Sequence, residues 1–69
     1  MVEVFKTNVK GQRAAKKIIN LLNQNWPVCR INFDLEDCDR VLRIEGNDFC
    51  TNRIIELLKL NGHHCEILN

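Results

Sequence analysis

Hydrophobic positions along the chain keep two rhythms, one of period two and one of three and four, and they exchange four times. A short β-like run, Val2-Glu3-Val4-Phe5, is followed by Ala14/Ala15, Ile18 and Leu21/Leu22 at helical spacing. Such spacing predicts one buried stripe on a helix. The period then becomes two, with Cys29, Ile31 and Phe33 alternating against Arg30, Asn32 and Asp34, as in a strand with one apolar face. The order repeats in the second half: Val41-Leu42-Arg43-Ile44, a helical stripe of Ile54 and Leu57/Leu58, then Cys65 and Ile67 flanking Glu66.

The two halves are copies of one unit. KIINLLNQNWPVCRI (17–31) aligns without gaps on RIIELLKLNGHHCEI (53–67), with Ile18/Ile54, Ile19/Ile55, Leu21/Leu57, Leu22/Leu58, Asn25/Asn61, Cys29/Cys65 and Ile31/Ile67 identical. A strand–helix–strand unit crosses over right-handed, so two copies joined through the turn-rich stretch 34–40 predict an α+β fold of one domain. This is a ferredoxin-like βαββαβ sandwich, with a four-stranded antiparallel sheet and two helices on one face. Pro27 is expected at the beginning of the second strand, where its missing N–H costs least. Gly62 is expected at the C-terminal end of the second helix. Three connections fall at one end of this topology: loop 8–13, hairpin 34–39 and Gly62-His63-His64.

Charge singles out the first of them. The stretch NVKGQRAAKK (8–17) opens the first helix with Lys10, Arg13, Lys16 and Lys17 and no carboxylate. Helix N-termini ordinarily attract acids, because their unpaired N–H groups make that end positive. The net charge of +1 hides a division: residues 1–31 hold six Lys/Arg and one Glu, and residues 32–69 hold four Lys/Arg and eight Asp/Glu. Asp34, Glu36, Asp37 and Asp39 of the hairpin are expected to approach Lys10 and Arg13.

Composition sets the outer limits. The 69 residues, 45% hydrophobic and 28% charged, suffice for one compact domain over 1–69. No apolar run approaches the roughly 20 residues that cross a bilayer, and MVEVFKTNVK lacks a signal-peptide core, so a cytoplasmic location with no membrane contact is expected. The four cysteines include no C-x-x-C pair. In that compartment they are expected to be reduced thiols.

The order strand, x-Gly-x-x-Ala-Ala helix, Val-x-x-Ile strand, hairpin, second helix and Asn-Gly-x-x-Cys-Glu-Ile-Leu strand resembles the heavy-metal-associated domain family, which includes small copper chaperones. The resemblance covers essentially the whole chain and is strongest in TNVKGQRAAKKI and LLKLNGHHCEIL. It implies the ferredoxin-like fold and a loop of pattern M-x-C-x-x-C, whose two thiolates bind a soft cation. In this chain those positions hold Thr7, Val9 and Gln12. An aliphatic side chain and a neutral amide replace the soft anionic donors, so the chain reads as a degenerate member lacking the conventional metal site and carrying no cofactor.

Cys29 and Cys65 lie on opposite edge strands, about 14 Å apart, too far for a disulfide, and read as small buried hydrophobes. Cys50, near the start of the second helix and away from the basic loop, has no neighbouring His to activate it. Cys38, His63 and His64 map to the same end as the loop, and Cys38 with His63 or His64, helped by Asp37 or Asp39, is the alternative candidate for a Zn(II) or Ni(II) site. In some metal chaperones of the resembled family a His after the second helix joins the metal site, at the position of His63. The simpler reading of His63, on the same face as Cys65, is a histidine capping the core edge.

Lys10, Gly11, Gln12, Arg13 and Lys17 form the leading candidate, an anion or partner-binding face built on a helix N-terminus. The glycine spacing is not that of a phosphate loop. No Tyr and few other aromatics argue against nucleic acid, and Trp26 is expected to lid the far end of the core. No catalytic pairing is present and the chain has little room for a water-excluding pocket, so a non-enzymatic module is expected. Its expected partner is an acidic protein surface or small anion. The alternative is a Cu or Zn carrier using Cys38, His63 and His64. A third reading is assembly through an edge strand such as Val28–Asp34, giving a monomer or weak homodimer.

Overall fold

The computed structural model describes residues 1–68. Its elements run β1 Val2–Thr7, α1 Gln12–Asn25, β2 Arg30–Asp34, β3 Val41–Glu45, α2 Thr51–Leu60 and β4 Cys65–Ile67. The sheet order is β2-β3-β1-β4 with every neighbouring pair antiparallel, the arrangement expected of two βαβ units closed into a ferredoxin-like sandwich. Helix α1 lies against β2 and α2 against β4, so each helix covers the edge strand of its own repeat.

The repeat carries through to packing. Ile18 and Ile54, Leu22 and Leu58, and Cys29 and Cys65 are all buried. Even a local bond is duplicated: the side-chain amides of Asn25 and Asn61 donate to the carbonyls of Leu21 and Leu57, one turn back, at 3.0 and 2.7 Å. Cross-strand register builds one apolar row, Phe33–Leu42–Phe5–Ile67, over all four strands. Phe5 and Leu42 at its centre are fully buried, as is Val9 from the loop after β1. Trp26 packs partly buried against this core, as expected.

The copies diverge where the helices end. Gly62, with φ of 83°, closes α2: its N–H donates to the Lys59 carbonyl and the His63 N–H to the Leu58 carbonyl. This is the paired-bond stop that a left-handed residue permits. Trp26 stands at the corresponding place after α1. There Pro27 occupies the first corner of a turn closed by Cys29 N–H to the Trp26 carbonyl at 3.2 Å. Pro27 therefore shapes a turn, where its fixed φ is an advantage, and does not begin the strand. Consequently β2 starts at Arg30, two residues later than expected, and Val28 is left outside the sheet and 85% exposed.

A second departure concerns Ile67, which shares its sheet face with Cys65 yet is exposed. β4 is only three residues long and has a neighbour on one side alone, so its last side chain lies beyond the helical cover.

Candidate functional site

Three connections meet at one end of the sandwich, as the topology requires. The loop after β1 is fastened on both flanks. On one side the Thr7 N–H donates to the Asp39 carbonyl at 3.0 Å, and the Thr7 hydroxyl donates to the Arg40 carbonyl. The same hydroxyl oxygen accepts the Val9 N–H at 3.2 Å. On the other side the Asn8 Oδ1 accepts the His64 N–H at 2.8 Å, and the Asn8 N–H donates to the His64 carbonyl at 3.3 Å. Thr7 is the one buried polar residue among those described, and its hydroxyl ties loop and hairpin together.

The hairpin is shaped by its own acids. Asp34 Oδ1 accepts the Glu36 N–H at 3.2 Å and Asp37 Oδ1 accepts the Asp39 N–H at 2.8 Å, both side-chain turns that aspartate favours. Arg40 then takes a left-handed conformation, φ 47°, to bring the chain into β3.

Val9 turns inward and Gly11 begins α1. Gly11 has φ 87° and ψ 158°, a region open to glycine and strained for other residues. A methyl group there would meet no neighbouring atom within 4 Å, so backbone strain alone enforces the glycine. Gly11→Ala is accordingly expected to cost about 1–3 kcal/mol without any clash, measured by urea denaturation.

Without a side chain at that position, α1 has no side-chain cap, and its first turn contains no acid. The first intrahelical bond is Ala15 N–H to the Gly11 carbonyl, leaving the N–H groups of Gln12, Arg13 and Ala14 outside the ladder at the helix end. Lys10, Gln12, Arg13, Lys16 and Lys17 are all exposed around it. Among the described residues the expected pairing of Lys10 and Arg13 with the hairpin does not occur; Lys6 takes Asp39 instead, at 3.8 Å. Lys6 points outward from β1 beside the hairpin, whereas Val9 draws the chain into the core before Lys10 emerges. The other ion pairs among the described residues are Arg43–Glu45 at 3.5 Å and His64–Glu66 at 3.2 Å, so the helix-start cations have no carboxylate of a described residue within 4 Å.

The positions of the resembled family's M-x-C-x-x-C pattern do not fit a soft cation here. Val9 is fully buried and belongs to the core, Gln12 is exposed, and Thr7 is committed to its two hydrogen bonds. The alternative ligands separate into two groups. Asp37, Cys38 and Asp39 present ligand atoms within 4.8 Å of one another, while His63 and His64 stand outside that group. His63 is half-buried at the end of α2, and His64 faces Glu66.

The remaining thiols occupy the places expected for them. Cys29 and Cys65 are buried, and Cys50 is exposed at the start of α2. Burial, assisted by the neighbouring Glu66 charge, pushes the Cys65 thiol up from 9.0 to about 12. Its folded-state pKa is raised, so the folded protein holds a proton that the unfolded chain releases. The associated stability is complete below about pH 9 and is lost as pH rises toward 12. Unfolding free energy measured at pH 8, 9 and 10 is expected to decline above pH 9 by at most about 1.4 kcal/mol per unit from this group. Cys65→Ala should remove that contribution.

Two features of this end were not legible in the sequence. The first is the Thr7–Asn8 clasp, for which the inward parity of Thr7 after Phe5 was the available signal. The second is a groove of about 440 Å³ along α1, with Ile18 and Leu21 in its wall, Lys17 and Gln24 at the rim, and Asn61 and His63 closing it from the end of α2. Among the described residues no helix is long and apolar enough to cross a membrane. Comparison with protein-family models, with curated proteins and with solved structures returned no match.

Proposed function

We propose that this domain is a non-enzymatic binding module whose basic loop and helix start, Lys10, Gly11, Gln12, Arg13 and Lys17, receive an acidic protein surface or a small anion. The observation that carries this reading is the unpaired state of that face. An uncapped helix N-terminus and four exposed cations stand together with no carboxylate of the described residues within 4 Å to neutralise them. A ligand carboxylate or phosphate would accept from the free N–H groups and gain charge-assisted bonds from Arg13 and the lysines. The clasp through Thr7 and Asn8 supports it further, because a loop already held by hydrogen bonds loses little entropy on binding. The groove beside Lys17 offers an apolar side chain of the partner a seat next to the charge.

The test is a binding titration with a glutamate-rich peptide at two salt concentrations. Affinity should fall as salt rises and should be largely lost in the triple variant Lys10→Gln/Arg13→Gln/Lys17→Gln. Equal binding by wild type and variant would remove the reading. The competing reading is a carrier of Zn(II) or Cu(I), and the grouping of Asp37, Cys38 and Asp39 is what favours it. Its signature would be submicromolar metal affinity abolished by Cys38→Ser.

A further inference from the structure

We infer that strand β2 is the interface of a symmetric homodimer, in which two copies pair antiparallel about Asn32 to make one eight-stranded sheet. The sheet has two open edges, and they differ. β4 offers three residues, whereas β2 offers Arg30–Asp34 in unbroken register with β3, with no bulge, proline, glycine or lysine to blunt it. An edge of that kind leaves a row of backbone donors and acceptors ready to template another strand.

The sequence of β2 selects a second copy of itself as the occupant. Antiparallel pairing centred on Asn32 places Arg30 opposite the second copy's Asp34, Ile31 opposite its Phe33, and Asn32 opposite its Asn32. All five residues find a cross-strand partner. The even positions keep to the solvent face and the odd positions to the helix face, and a one-residue slip would set Ile31 and Phe33 against the wrong side. Both charges are available. Neither Arg30 nor Asp34 has an ion-pair partner within 4 Å among the described residues, because Glu45, beside Arg30 in register, takes Arg43. Asp34 uses one carboxylate oxygen for the Glu36 N–H and keeps the other. Ile31 and Phe33 pack only partly buried against the core, as apolar side chains do at an edge that a neighbour would extend.

The helices permit the arrangement. α1 lies over β2, so the two copies of α1 run antiparallel across the two-fold axis. The basic start of one then stands level with the amide-rich end of the other, Asn20, Asn23, Gln24 and Asn25, and not with its basic counterpart. The basic loop contributes no residue to the strand pairing, so this assembly does not depend on the anion reading.

Sedimentation equilibrium of the full chain under reducing conditions, which silence the exposed Cys38 and Cys50, tests the inference. Wild type should show a monomer–dimer equilibrium at roughly 0.1–1 mM, as befits a weak, transient pairing of two five-residue strands. Arg30→Asp, which opposes like charges at both ends of the pairing, should be monomeric. The exchanged variant Arg30→Asp/Asp34→Arg should dimerise again, with amide spectra confirming that each variant is folded. In a sample mixing labelled and unlabelled chains, contacts should appear between Ile31 and the second copy's Phe33. A wild type that stays monomeric to 1 mM overturns the inference, as does association that Arg30→Asp leaves unchanged or that the exchange fails to restore.

Discussion

Phe5→Ala should cost about 3–5 kcal/mol, more than the loss of any hydrogen bond or glycine conformation in the domain. Phe5 sits at the centre of the row Phe33–Leu42–Phe5–Ile67, is fully buried, and belongs to β1, which pairs with both β3 and β4. Removing the ring forfeits its transfer free energy and leaves a cavity, and the strands on either side are held in register by their ladders and collapse poorly into it. The effect is large against the total. A domain of this length has roughly 3.5–10 kcal/mol of stability, since globular proteins keep about 0.05–0.15 kcal/mol per residue. Thermal unfolding followed by circular dichroism should therefore show either a midpoint lowered by tens of degrees or no cooperative transition at 25 °C. Ile67→Ala, in the same row but exposed at the edge, should cost well under half as much. Equal losses at the two positions would contradict the placement of the core.

Thr7→Val should cost about 2–4 kcal/mol although it conserves shape and volume. The valine leaves the Val9 N–H without its acceptor and the Arg40 carbonyl without its donor, in a part of the molecule where Thr7 and Val9 are both buried. Each unsatisfied group carries its own desolvation cost. Thr7→Ser keeps the hydroxyl and should lose about 1 kcal/mol or less, for the missing methyl group. The pair separates hydrogen bonding from packing. Because the hydroxyl joins the β1–α1 loop to the hairpin, hydrogen exchange in Thr7→Val should quicken at Val9–Gln12 and at Asp39–Arg40 well before the central strands. Uniform loss of protection would show that Thr7 supports the whole sheet and not this end.

The fold was written in the chain mainly because it was written twice. The pairs Ile18/Ile54, Leu22/Leu58 and Cys29/Cys65 proclaim a duplicated unit, and all six side chains are buried in equivalent places. Periodicity sees such residues because burial repeats with the backbone. Its failures fall where the copies differ or the backbone leaves its regular path. Pro27 and Trp26 replace the glycine stop of α2 with a turn, which delays β2 to Arg30. Ile67 keeps the right parity on a strand too short to be covered.

At the candidate site the residue types were legible and their pairings were not. Lys10, Gln12, Arg13 and Lys17 are exposed around the helix start, but charge counts could not say that Asp39 would choose Lys6. That choice follows from Val9 turning into the core, a tertiary event with no local signature. The resemblance to metal-binding domains placed Val9 and Gln12 at the thiolate positions and Thr7 at the methionine of the pattern; it gave no hint that Thr7 would serve as the clasp of the loop.

A loop that resembles a soft-metal site is instead filled by the core side chain of Val9, and the proposed function has it present charge to an anion. The most direct measurement is an amide chemical-shift map of the reduced, isotope-labelled protein titrated in parallel with inorganic phosphate and with Cu(I). Phosphate should move Lys10 to Ala14 and Lys17, with shifts that shrink as salt is added, while Cu(I) leaves Thr7, Val9 and Gln12 in place. Submicromolar Cu(I) binding that shifts those three residues, with phosphate inert at the helix start, would contradict the account.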